Sequence, residues 1–180
     1  IFENRVFNYN EMNHIRLSFC FIAMLVTLAG SVCAQEVRYT DASAFPIYGK
    51  VSDNTDGLYE RLPSYLQGIS RDPVWYLGRQ SAGLFVRFRS NSTTISARWE
   101  STFDNTMPHM TDTGTKGLDL YALVDGQWRH VCSAQPQGKR SERTIISYMD
   151  PIEREYMLYL SLYDGVTSLE IGVDENAFID

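Results

Sequence analysis

The chain has 180 residues, 44% hydrophobic, 21% charged and 13% aromatic, with 16 Lys+Arg against 22 Asp+Glu. Those proportions exclude a disordered, collagen-like or disulfide-scaffold chain. A formal net charge of −6 argues against nucleic acid as a partner, because counterion release from a phosphate backbone needs a basic face.

Residue 1 is an isoleucine, and Met12 reads as the start of translation. His14 and Arg16 follow, then an apolar run from Leu17 to Ala29 broken by Ser18 and Thr27, then small residues from Gly30 to Ala34. Val32 and Ala34 stand at −3 and −1 of a cut before Gln35, the pattern of a secretory signal peptide. Residues 1–34 are therefore expected to be upstream residues and a cleaved leader, and residues 35–180 an exported domain, periplasmic or extracellular. The apolar core is shorter than the ~20 residues a membrane span needs, so no stable span is expected after cleavage. Val32 before Cys33 disfavours lipoprotein processing. Removal of Cys20 and Cys33 leaves Cys132 alone, without an intramolecular disulfide partner. Strict alternation along Trp128–Cys132 puts Trp128 and Cys132 on one face, which reads as a buried, inert thiol beside a core tryptophan.

Asp53, Asn54 and Asp56 with Gly57 read as an Asx turn, and no metal is expected. Leu58 to Leu66 has room for a turn or two of helix. Ser81 lies between Gly78 and Gly83, with the wrong spacing for a nucleophile elbow, and reads as part of a turn. From Gly83 onward the period is two. Leu84, Val86 and Phe88 alternate with Phe85, Arg87 and Arg89, and Ile95, Ala97 and Trp99 alternate with Ser96, Arg98 and Glu100. Ser101 to Lys116 is a long polar interval with Pro108 in it. Leu118, Leu120, Ala122 and Val124 form one face of the next run. Asp125-Gly126 then predicts a type I′ hairpin returning through Trp128 to Cys132. Further strands are expected over Thr144–Met149, over Tyr156–Tyr163 with Leu158, Leu160 and Leu162 on one face, and, after Asp164-Gly165, through Leu169, Ile171 and Val173. Short strands separated by turn signals predict an all-β, antiparallel β-sandwich, jelly-roll-like, with no linker within it.

No nucleophile elbow, H-E-x-x-H or P-loop is present. The sequence accordingly predicts no catalytic residue and no cofactor. His130 reads as a packed or sheet-surface histidine. His109, Thr111, Lys116 and Asp119 gather at the entry to the Leu118 strand and are the candidate interface or ligand-rim residues. Asp119 alternates against Leu118 and Leu120 and so is expected to face away from the core.

The block Gly117-Leu118-Asp119-Leu120-Tyr121 resembles the G-x-D-L-Y signature of the domain N-terminal to the catalytic domain in secreted bacterial SGNH/GDSL-type esterases. Ser81-Ala82-Gly83-Leu84-Phe85-Val86-Arg87-Phe88 is similar to a strand of that family, His109-Met110-Thr111 with Thr113-Gly114 to the loop before its signature, and Glu155 through Val166 to its closing strand and turn. Ser161 stands where the family carries proline in its L-Y-L-P-L-Y run. The resemblance implies a non-catalytic sandwich domain, with a C-terminal hydrolase domain missing from this chain as its partner, and esters of carbohydrates as substrates. A stand-alone carbohydrate-binding or structural sandwich is the alternative, with exposed aromatics as sugar platforms; Trp99 and Trp128, read as core, weigh against it.

Overall fold

The computed structural model describes residues 36–180, so the expected leader and its cleavage site lie outside the described residues. Nine strands run through them: β1 (Val37–Asp41), β2 (Ile47–Tyr48), β3 (Phe85–Ser90), β4 (Ile95–Ser101), β5 (Leu118–Val124), β6 (Gln127–Ala134), β7 (Arg140–Ile146), β8 (Arg154–Tyr159) and β9 (Val166–Asp174). They form a four-stranded sheet in the order β1-β9-β4-β7 and a five-stranded sheet in the order β2-β3-β8-β5-β6. Every pairing is antiparallel. Ala97 and Trp99 of β4 and Ile171 and Val173 of β9 meet Val86 and Phe88 of β3, Leu120 of β5 and Leu158 of β8 in one buried core. This is the antiparallel sandwich that the two-residue period predicts, since alternate side chains of each strand fill the space between two sheets.

The β5–β6 hairpin turns on Asp125 and Gly126, at φ +53° and +74°, the two positive values a type I′ turn requires. Other expectations shift. β1 and β2 precede the first predicted strand; β1 is half-buried from Val37 to Thr40 and β2 has two residues, so neither shows a clear period. β7 starts at Arg140 rather than Thr144, its charged outward residues hiding the inward ones. β8 ends at Tyr159; Leu160 stays in the core, but the chain then leaves the sheet and Leu162 is 47% exposed, against the expected common face. Two short helices, α1 (Asp72–Gly78) and α2 (Asp112–Lys116), lie outside the expected turn at Leu58–Leu66, which appears as a single 3-10 turn over Ser64–Leu66.

The face assignment of β6 needs correction. Leu120 pairs with Cys132 while the next residue, Tyr121, pairs with His130, so β6 carries one extra residue at Val131. This bulge reverses the alternation. Trp128 and His130 fall on the outer face with Tyr121, while Val131 and Cys132 both pack, half-buried, against the core. Trp128 is therefore not a core residue, and it does not share a face with Cys132.

Candidate functional site

Each position of the signature has a physical task. Gly117 joins α2 to β5 where a Cβ would lie 2.3 Å from the Thr113 carbonyl oxygen and 2.7 Å from that of Ala134, so no side chain fits. Leu118 and Leu120 point into the core. Asp119 and Tyr121 point outward from the five-stranded sheet, beside Tyr159 and Met157 of β8. A groove of about 440 Å³ opens there, lined by Asp119, Tyr121, Trp128, Met157, Tyr159 and Leu162.

Aromatic rings continue across the same face. Tyr48 stacks on Phe85 at 5.3 Å between centroids, Phe85 lies 4.8 Å from Tyr159, Tyr159 lies 5.5 Å edge-on to Tyr121, and Tyr121 lies 5.3 Å from His130. The Arg87 guanidinium sits over both Tyr48 (5.4 Å) and Trp128 (5.5 Å), and its charge is matched by Glu155. Tyr48 remains 40% exposed at the end of this row.

The polar edge of the groove is a short chain of hydrogen bonds. Ser133 donates from Oγ to Asp119 Oδ1 at 2.5 Å, and His130 Nε2 lies 3.1 Å from the same Oγ and 3.9 Å from Asp119. A hydrolytic triad places histidine between serine and carboxylate, so that the imidazole can take the serine proton. Here the hydroxyl lies between the other two groups and its proton is already committed to the carboxylate. The trio is suited to offer acceptors and donors to a ligand or partner rather than to make a nucleophile. No cluster of three or more His, Cys, Asp or Glu side chains able to hold a metal occurs among the described residues.

The four candidates singled out from sequence separate. Asp119 stands on the groove. Lys116 is buried to 2% exposure, its ammonium 2.5 Å from Asp104 and 3.6 Å from Asp112. Desolvation pulls its pKa down, but the hydrogen bond and charge of Asp104, with the charge of Asp112, outweigh that and leave it raised. Thr111 caps α2, its hydroxyl facing the Gly114 amide at 3.5 Å. His109 is exposed, and its side chain makes no hydrogen bond or ion pair among the described residues. The polar interval holding these residues is an ordered loop. Buried Asp164 accepts from the amides of Phe103 (2.9 Å) and Asn105 (2.7 Å), and Trp99 Nε1 donates to the Lys116 carbonyl at 3.0 Å. Ser81 is likewise structural, donating to the Tyr59 carbonyl (2.7 Å) and accepting from the Val166 amide (2.9 Å).

Residues 37–179 match the G-x-D-L-Y family, described as the N-terminus of SGNH-hydrolase-type esterases. The chain belongs to this family. A solved structure of a protein from Bacteroides ovatus described as a GDSL-like lipase is 33% identical with a TM-score of 0.76, covering 80% of this chain and 42% of that one. The salicylyl-acyltransferase SsfX3 of a tetracycline biosynthetic pathway shares the fold at 16% identity, with a TM-score of 0.56, covering 80% of this chain and 41% of its own. This G-x-D-L-Y chain thus spans about two-fifths of the length of the solved relatives it matches. No curated protein matches it.

Sequence reasoning placed Asp119 but missed Tyr121, Trp128, His130, Ser133 and Tyr159 as its neighbours. Tyr121 carried a signal, two residues after Asp119 on the same predicted outer face. Trp128 and His130 carried none, because the bulge between them and Ser133 is a tertiary feature.

Proposed function

We propose that residues 36–180 are the non-catalytic, jelly-roll-like N-terminal domain of an exported SGNH-type ester hydrolase acting on acylated carbohydrates. The ester chemistry resides in a hydrolase domain later in the same protein. The observation that carries this reading is the signature strand itself. Its inward residues build the core, while its outward Asp119 and Tyr121 open on an aromatic groove whose serine, histidine and aspartate are joined in the wrong order for a triad. Export rests on the leader pattern before Gln35, and the carbohydrate class on the family resemblance.

Hydrolysis of p-nitrophenyl acetate and of an acetylated sugar, measured for residues 36–180 and for the full-length protein, tests this. Turnover is expected from the full-length protein only. Turnover by residues 36–180 that disappears in Ser133→Ala would place an active site on this sheet and end the reading. A second reading, a free-standing carbohydrate-binding module, draws on the same aromatic row, since sugar rings stack on aromatic faces while a carboxylate accepts from their hydroxyls. It expects oligosaccharide binding by residues 36–180 that is lost in Tyr121→Ala.

A further inference from the structure

The outer face of the five-stranded sheet carries a connected row of partly exposed aromatic rings, and Asp180 lies at its edge. Ile179 bridges to Ser90, and Arg89 and Asp180 exchange backbone hydrogen bonds at 2.8 and 3.2 Å. The Asp180 carboxylate takes the Arg89 guanidinium at 3.1 Å (Nε) and 2.5 Å (Nη2). Arg87 and Arg89 point outward, so this carboxylate lies on the aromatic side, in a cleft of about 270 Å³ with Tyr48, Arg87 and Glu155. Pairing cannot extend further along β3. The Arg87 amide is already bonded to the Pro46 carbonyl at 3.2 Å, and Ile47 occupies the place opposite Val86. Chain leaving Asp180 must therefore depart from the sheet edge beside Tyr48 and Arg87.

We propose that the hydrolase domain following Asp180 folds back over this face and seats on Tyr48, Phe85, Tyr121, Trp128 and Tyr159. The inference rests on the reading that such a domain follows. Aromatic side chains and arginine are the residue types that centre on buried interfaces, and this face offers them in one connected row with Arg87 among them. A tether leaving from the rim makes docking of the following domain intramolecular, so a modest area is enough to hold it. Asp119, Ser133 and His130 then lie at the border between the two domains, where their unused hydrogen-bonding capacity can meet the second domain.

The test is thiol labelling of the full-length protein in a Cys132→Ala background, with one reporter on each outer face: Tyr48→Cys on the five-stranded sheet and Glu142→Cys on the four-stranded sheet. Maleimide rates are read by peptide mass mapping and normalised to the same protein in denaturant. The expected result is Tyr48→Cys labelled at least tenfold more slowly than Glu142→Cys, with ester hydrolysis retained in the Cys132→Ala parent and in Glu142→Cys. Tyr121→Cys is a second reporter should Tyr48→Cys perturb β2. Equal rates in a protein that hydrolyses esters would overturn the docking inference while leaving the proposed function intact. Protection that grows with protein concentration would replace the hydrolase domain by a second copy, and protection that requires added oligosaccharide would replace it by sugar. A protein with no hydrolase domain, shown by its intact mass and lack of turnover, would remove both the proposed function and this inference.

Discussion

The two outer faces of the sandwich solve the same problem in opposite ways. On the four-stranded sheet, Arg98 pairs with Glu142 at 3.0 Å and lies 3.6 Å over the Tyr39 ring, Tyr39 donates to Glu142 at 3.0 Å, and Arg140 pairs with Glu100 at 3.0 Å. These charges satisfy one another in water, and such a face needs no cover. On the five-stranded sheet the corresponding positions carry Tyr48, Phe85, Met157, Tyr159, Tyr121 and Trp128. Edge strands and solvated faces are ordinarily protected by charge. An aromatic face with a polar border is instead the composition of a surface that meets something. The two sheets share one core and differ sharply in what they show outward, so function is to be sought on the second.

The largest effect that would sharpen this contrast lies within the signature strand. Leu120→Ala, inward and fully buried, should cost about 2–5 kcal/mol in chemical denaturation through lost burial and a residual cavity. Tyr121→Ala, the next residue but outward, should cost the isolated domain clearly less. Comparable losses at both positions would show that the aromatic row is a second core rather than a waiting surface.

Lys116→Met should come next, at about 1–3 kcal/mol, because it removes a buried cation whose acidic partners remain partly solvated. The sign of its pH dependence follows from its raised pKa. The stabilisation is fully present below the ordinary lysine value of 10.5 and is lost as pH rises through the higher folded value. Hydrogen exchange of residues 101–116 should therefore quicken at strongly alkaline pH in the parent and show no such step in Lys116→Met.

A smaller effect is expected on the charged face. Hydrogen bonds from Arg98 and Tyr39 hold Glu142 below the ordinary carboxylate range. Its stabilisation is thus present above the unfolded value of 4.5 and fades as pH falls through the folded one. Glu142 is exposed, so solvent screens most of this, and Glu142→Gln should shift the thermal midpoint too little to separate from the parent at neutral pH. A large loss would mean that the charged face, too, is part of a built site.

The smallest change is predicted for His109→Ala, whose side chain is exposed and makes no polar contact among the described residues. Stability should stay within about 0.5 kcal/mol of the parent. A kinetic defect in the full-length protein without a stability change would restore His109 as a partner-contacting residue.

The sequence by itself determined the class of fold, because a two-residue apolar period in the stretches that became β3, β4, β5 and β9 permits one buried face per strand and hence two sheets over one core. It also determined the Asp125-Gly126 hairpin, through the positive φ that these residues accept, and the outward direction of Asp119. Only the tertiary structure decided what Asp119 meets. One extra residue at Val131 turned Trp128 to the outer face while Cys132 stayed against the core, and alternation cannot reveal a bulge whose residues are all compatible with either side. Lys116 looked like a surface cation among polar neighbours. It is buried because Asp164, in the closing turn 61 and 59 residues along the chain from Phe103 and Asn105, pins the loop down over it through their amides, and no local pattern carries a contact of that range.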